Sequence, residues 1–258
     1  MYRGWTRISN SLRKNIIILR YKLEIAYKGT NYQGWQIQPN GLTVQEVLNN
    51  AISVITRQQI ETVGCGRTDT GVHAKQFFVH FDTDQELMPI FLRNLNGILP
   101  NDIAAYTIER VSNDFNARFS AINRTYEYLI YFEKNPFYIN LATKWNFPLN
   151  VDVMNQACDF IIGENDFTSF SKVNTDVKHF TCDVKAARWY YKQDMLVFEI
   201  TANRFLRNMV RALVGTFTQL GEGKIDLEKF KEIIESRNRN NAGVSVPAAG
   251  LYLVSIEY

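Results

Sequence analysis

The chain lacks the features that would place it in a membrane or staple it covalently. No apolar run approaches the roughly 20 residues that cross a bilayer as a helix. The segment Ile16-Ile17-Ile18-Leu19 is too short for the core of a signal peptide. Cysteine occurs only as Cys65, Cys158 and Cys182. An odd number without Cys-x-x-Cys spacing argues against a disulfide framework and against structural zinc. His73, His80 and His179 have no zinc-binding spacing either. A reducing, cytoplasmic setting is the simplest expectation. Acid is missing from the first 23 residues, which carry Arg3, Arg7, Arg13, Lys14, Arg20 and Lys22. Net charge is +3, so without those side chains the remainder is slightly acidic. A surface for a phosphate backbone must then be a local patch, because such binding needs clustered cations. Residues 1–20 are expected to form a flexible basic arm.

Two further absences concern the glycine-rich stretch Gly64-Cys65-Gly66-Arg67-Thr68-Asp69-Thr70-Gly71-Val72-His73. A dinucleotide-binding fingerprint needs glycine at its sixth position, and Asp69 stands there, where its charge repels a pyrophosphate. A P-loop needs Gly-Lys-Ser/Thr after four spacer residues, and none follows. What the stretch does hold is a carboxylate two residues from an arginine, bracketed by glycines that free the backbone. It precedes the strand candidate Phe77-Phe78-Val79-His80-Phe81. Loops on rigid scaffolds often carry catalytic groups. A plain turn fits the same composition, so the stretch by itself leaves both open.

The hydrophobic periodicity predicts an α+β fold of two mixed units, 21–112 and 113–258, with largely antiparallel sheets. In the first, Tyr21, Leu23, Ile25 and Tyr27 alternate as a half-buried strand. Thr43-x-x-Glu46 is a capping box for a helix with Val44, Val47, Leu48, Ala51 and Ile55 on one face. Strand 76–82, a short helix near 88–95 and a strand near 103–109 follow. In the second, a strand spans 125–132, a helix 151–162, a hairpin 181–201, a helix about 204–220, a helix 226–236 and a closing strand 251–257. On the 204–220 helix, Leu206, Met209, Val210, Leu213, Val214, Phe217 and Leu220 form an apolar stripe. At 100° per residue, Arg204, Arg207 and Arg211 lie within about 60° of one another, and no acid occurs between Glu199 and Glu222. Such a stripe suits phosphate binding, although a solvated face is the commoner meaning of one. Tyr126, Tyr128 and Ile130 share a strand face, a pattern more typical of core than of function.

The glycine-rich stretch resembles the signature of the bacterial tRNA pseudouridine synthase A family. Other blocks match in that family's order: Tyr27-x-Gly29-x-x-Tyr32-x-Gly34-Trp35-Gln36-x-Gln38, Thr43-Val44-Gln45, Phe115-x-Ala117-Arg118-Phe119-Ser120-Ala121 and Arg124-x-Tyr126-x-Tyr128. They continue with Asp166-Phe167-Thr168-Ser169-Phe170, Met209-Val210-Arg211 and Gly250-Leu251-Tyr252-Leu253. Cys65 and Thr70 stand where the family usually has alanine, and both are small. The resemblance implies the pseudouridine synthase catalytic core, with the active-site cleft between the two units. It implies isomerisation of uridine to pseudouridine at positions 38, 39 and 40 of the tRNA anticodon stem-loop, by a homodimer that uses no cofactor and no metal. It implies Asp69 as catalytic nucleophile, supported by Arg211. The residues themselves leave open whether Asp69 attacks the sugar, attacks the base or assists loss of a sugar proton. By the same resemblance Tyr126 stacks on the target base, Arg67 attends the displaced nucleotide and Leu251 walls the pocket. Arg204 and Arg207 are expected on phosphate. Tyr128 and Trp35 are expected in the core, and His73 as an anchor of the loop. The rivals are a relative acting on other tRNA uridines and a tRNA-binding or chaperone protein without catalysis.

Overall fold

The structure, a computed structural model, describes residues 18–172 and 179–258. Most of the basic segment expected as an arm lies outside the described residues. Strand β1 (Leu19–Tyr27) nevertheless begins inside that segment. Arg20 ties the strand down through a two-pronged pair with Asp82 at 2.8 Å and a 2.7 Å hydrogen bond to the Asn113 carbonyl. Tyr21, Leu23, Ile25 and Tyr27 are buried on one face of β1, following their alternation.

Helix α1 (Val44–Thr56) starts where the capping box predicts, the Thr43 hydroxyl accepting from the Glu46 N–H at 3.3 Å. Strands β2 (Val63–Gly64) and β3 (His73–Thr83) bracket the glycine-rich loop. Helix α2 (Phe91–Ile98) starts about a turn later than expected, and β4 (Ile103–Val111) closes the first half. The second half holds β5 (Asn123–Tyr131), β6 (Thr143–Lys144), α3 (Val151–Cys158) and β7 (Gly163–Asp166). It continues with the hairpin β8 (Thr181–Lys192) and β9 (Met195–Ala202), then α4 (Met209–Gly221), α5 (Leu227–Glu235) and β10 (Leu251–Glu257).

Among the described residues the strands form one sheet in the order β4-β1-β3-β10-β5-β9-β8-β7, with β2 beside β3 and β6 beside β5. The two halves therefore share a single, mostly antiparallel sheet while keeping two buried apolar clusters. The join is β10, which runs parallel to β3 and antiparallel to β5. Between these two neighbours β10 has hydrogen-bonding partners on both edges. The register sets Tyr252 opposite His73 and Leu253 opposite Tyr126. The loop entering β3 and the middle of β5 are thus one strand apart, although they are distant in sequence.

Candidate active site

The loop between β2 and β3 is held from both sides. The Cys65 N–H donates to the Phe78 carbonyl at 2.8 Å, the Trp35 N–H to the Thr68 carbonyl at 3.2 Å, and the Gly71 N–H to the Tyr32 carbonyl at 3.3 Å. The Thr68 and Tyr27 hydroxyls are 2.9 Å apart, and the Val72 N–H closes onto the Asp69 carbonyl at 3.1 Å. The glycines do not all serve one purpose. Gly71 takes φ +79°, in the left-handed region that glycine favours. At Gly64 a Cβ would meet the rings of Trp35 and Phe77 at 2.7 Å. Trp35 is a core residue, 1% exposed, with its ring 4.4 Å from that of Phe77. Burial pushes the Cys65 thiol up to about 12, so it stays protonated and unreactive at neutral pH. His73 anchors the end of the loop: its Nδ1 accepts the Gly29 N–H at 3.0 Å and its ring stacks on Tyr252. Burial lowers its pKa, so the ring is neutral when it does so.

Asp69, held in this frame by backbone contacts, points its carboxylate toward two guanidinium groups. Arg207 Nε lies 3.7 Å from Oδ1, and Arg211 Nη1 lies 3.8 Å from Oδ2. Both distances exceed hydrogen-bond range, so the charges face one another while the lone pairs of the carboxylate stay free. Arg211, expected on Asp69, and Arg207, expected on phosphate, thus both lie at ion-pair distance from this carboxylate.

The helical stripe expected from residue 204 is not present. Asn208 adopts φ +69° and α4 begins after it, so Arg204 and Arg207 sit in an irregular segment and only Arg211 is helical. Asparagine tolerates this conformation better than most residues, and its side chain is fixed by a 2.6 Å bond to the Ser245 hydroxyl. Helix α4 is buried along nearly its whole length, with Arg211 as its one cation. Arg211 is oriented by the segment crossing the helix. Its Nε donates to the Val246 carbonyl at 2.8 Å, and the Val246 N–H returns to its carbonyl at 3.2 Å. The crossing is close because residue 215 is glycine: a Cβ there would lie 1.9 Å from the Val244 carbonyl oxygen.

The remaining predicted residues divide into two groups. Tyr126 is half-buried, its ring edge-on to Phe205 at 5.0 Å and packed against the buried cluster that contains Leu251. Burial, then the neighbouring Cys65 and Asp69, raise the Tyr126 phenol above its ordinary range, so the hydroxyl keeps its proton at neutral pH. Tyr128 is fully buried, bonded to Thr143 and to the Pro247 carbonyl. Arg67, with Arg118, Gly64 and Gly66, lines a groove of about 550 Å³ that runs along α1. Arg204 lies 3.1 Å from the His179 ring.

Arg124 is a residue whose role the sequence does not announce. Its guanidinium donates to four carbonyls, those of Ala121 and Asn203 through Nη1 and those of Cys65 and Arg118 through Nη2. It fastens the Asp69 loop to β5 and to the segment after β9. The Arg124-x-Tyr126 spacing was the only available signal.

A carboxylate on a fixed loop, facing two cations and beside a protonated tyrosine, joins residues from both halves of the chain. A sequence profile described as tRNA pseudouridine synthase matches residues 25–120 and 157–258. The tRNA pseudouridine synthase A of Porphyromonas gingivalis is 46% identical over 245 residues, covering 93% of this chain and 97% of that protein. That of Parabacteroides distasonis is 44% identical over 241 residues, covering 93% and 96%. That of Francisella tularensis subsp. novicida is 40% identical, covering 92% and 93%. With the profile matching both halves and these relatives aligning over more than nine tenths of its length, the chain belongs to the tRNA pseudouridine synthase family.

Proposed function

We propose that this protein isomerises uridine to pseudouridine in tRNA, at positions 38, 39 and 40 of the anticodon stem-loop, with Asp69 as the nucleophile. The observation that carries this is the Asp69 carboxylate, facing Arg207 and Arg211 without a hydrogen bond to either. The reaction breaks the bond from uracil N1 to ribose C1′ and makes one from C5 to the same carbon. The C5 proton is lost to solvent and N1 gains one, so the change is an isomerisation. A carboxylate beside the sugar–base bond can attack as a nucleophile or stabilise developing positive charge. The two guanidinium groups face it at 3.7 and 3.8 Å without taking up its lone pairs in hydrogen bonds. A base must leave its stack to reach this site, and the Tyr126 ring offsets part of that cost by stacking on it.

The proposal extends to a cytoplasmic homodimer whose RNA cleft draws on both subunits. Three free, buried thiols fit a reducing compartment. Among the described residues, no helix is long and apolar enough to cross a membrane. Tritium release from tRNA labelled at uracil C5 tests the chemistry. Pseudouridine mapping in cells lacking the protein tests the positions. Binding without release would favour a tRNA-binding protein, and loss of pseudouridine elsewhere in tRNA would favour a relative of different specificity.

The role of Tyr126 separates into two outcomes. Its phenol is protonated and no side-chain partner holds its oxygen among the described residues, so Tyr126→Phe is expected to lower the saturated rate only a few-fold. Tyr126→Leu removes the π-face and is expected to lower it tenfold or more. Equal, severe losses in single-turnover assays would instead assign the hydroxyl a proton-transfer role. Near-normal rates in Tyr126→Leu would return the residue to core packing.

A further inference from the structure

Phe119 is 78% exposed, yet the turn that carries it is tightly fixed. The Asn116 side-chain carbonyl accepts the Arg118 and Phe119 N–H groups at 3.0 and 3.1 Å. The Ser120 N–H donates to the Asn116 carbonyl at 2.8 Å, and the Ser120 hydroxyl accepts the Asn116 N–H at 3.0 Å. Buried Ala117 is held at both ends, its N–H on His80 Nδ1 at 3.1 Å and its carbonyl on the Tyr258 hydroxyl at 2.9 Å. A rigid mount under a bare aromatic ring removes the freedom by which the ring could fold back onto the protein.

The surroundings of the ring are cationic. The Arg118 guanidinium lies 5.4 Å from its centroid. Arg67 lines the same groove as Arg118, and partial desolvation followed by repulsion from Arg67, Arg124 and Arg204 lowers the Arg118 pKa. Arg124 is committed to carbonyls. Among the described residues, Arg67, Arg118 and Arg204 have no carboxylate within ion-pair distance. An exposed aromatic face beside uncompensated guanidinium groups is the combination that binds single-stranded nucleic acid, with stacking on the ring and phosphate on the cations. Arg124 bonds the carbonyls of both Arg118 and Cys65, so this turn and the Asp69 loop are one rigid piece.

We propose that Phe119 and Arg118 form a second nucleotide site. The Phe119 ring stacks on an unpaired base of the bound tRNA other than the one presented to Asp69, and Arg118 with Arg67 takes the adjoining phosphate. This rests on the reading of tRNA as substrate. Its effect is to hold the RNA strand beside the cleft while a uridine at position 38, 39 or 40 is presented to Asp69.

The test uses the full chain and an unmodified tRNA transcript, with dissociation constants measured over a range of salt concentrations. Phe119→Ala is expected to weaken binding about tenfold without changing the salt slope, because it removes stacking and no charge. Phe119→Trp is expected to restore or exceed wild-type affinity. Arg118→Ala is expected to weaken binding and to flatten the slope by about one unit. Wild-type affinity in Phe119→Ala would overturn the proposal. So would loss of affinity that follows a change in sedimentation, which would assign the ring to contact with a second copy of the chain. A wild-type protein that neither binds tRNA nor releases tritium would instead overturn the parent reading and this proposal together.

Discussion

Asp69→Asn is expected to lower tritium release by at least a thousandfold, equivalent to roughly 4 kcal/mol of barrier, while tRNA binding persists. The substitution is close to isosteric. Asp69 is held through its own carbonyl, by the Val72 N–H, and through neighbours bonded to Tyr27, Tyr32 and Trp35. None of these contacts uses the carboxylate, so the loop keeps its shape. What is lost is the anion. An amide is a poor nucleophile and cannot balance positive charge developing on a sugar. Affinity comes mainly from phosphate contacts, and removing one negative charge from a site that meets RNA does not weaken them. Single-turnover tritium release with filter binding on the same preparation checks both halves. A variant reacting at a tenth of the wild-type rate would show that the carboxylate is not the catalytic group.

The parts of this site that are legible in sequence are local ones. Asp69, its glycines and the strand after it lie within a few residues, and Thr43 and Glu46 mark the start of α1 three residues apart. The closing strand is read correctly as 251–257, but nothing in it says where it pairs. Its contacts with β3 span up to 180 residues, as between the Ile256 N–H and the Gln76 side chain. That one sheet runs through both halves is therefore visible only in the structure. The 204–220 segment misleads for a different reason. Leu206 and Met209 fit the helical period, but one left-handed residue, Asn208, displaces Arg204 and Arg207 from the helix. Periodicity registers side-chain polarity and carries no information about a single φ. Arg124 is illegible because its partners are main-chain carbonyls from separate segments, which leave no side-chain pattern.

Arg211→Ala is expected to lower the saturated rate thirty- to a hundredfold, roughly 2–3 kcal/mol, with a smaller loss of affinity. Two arginines stand at nearly equal distance from Asp69, so distance does not rank them. Exposure and anchoring do. The Arg211 side chain is 21% exposed and held by the Val246 carbonyl, whereas that of Arg207 is 60% exposed and has no second anchor among the described residues. An exposed pair is screened by water and salt and is worth up to about 1 kcal/mol, so Arg207→Ala is expected to cost about fivefold in rate at most. Arg207 is also free to turn toward phosphate when RNA arrives, so its loss is expected to weaken binding and flatten the salt dependence. Arg211→Lys keeps the charge but loses the Nε donor and the planar fork, and is expected to rescue only partly. Saturating single-turnover kinetics on the three variants, with binding measured over a salt series, separates the roles. If Arg211→Ala reacts at the wild-type rate once saturated, Arg211 is a phosphate contact. If Arg207→Ala shows the larger loss of rate, the exposed guanidinium is the one that orients Asp69, and the anchoring of Arg211 by Val246 serves packing alone.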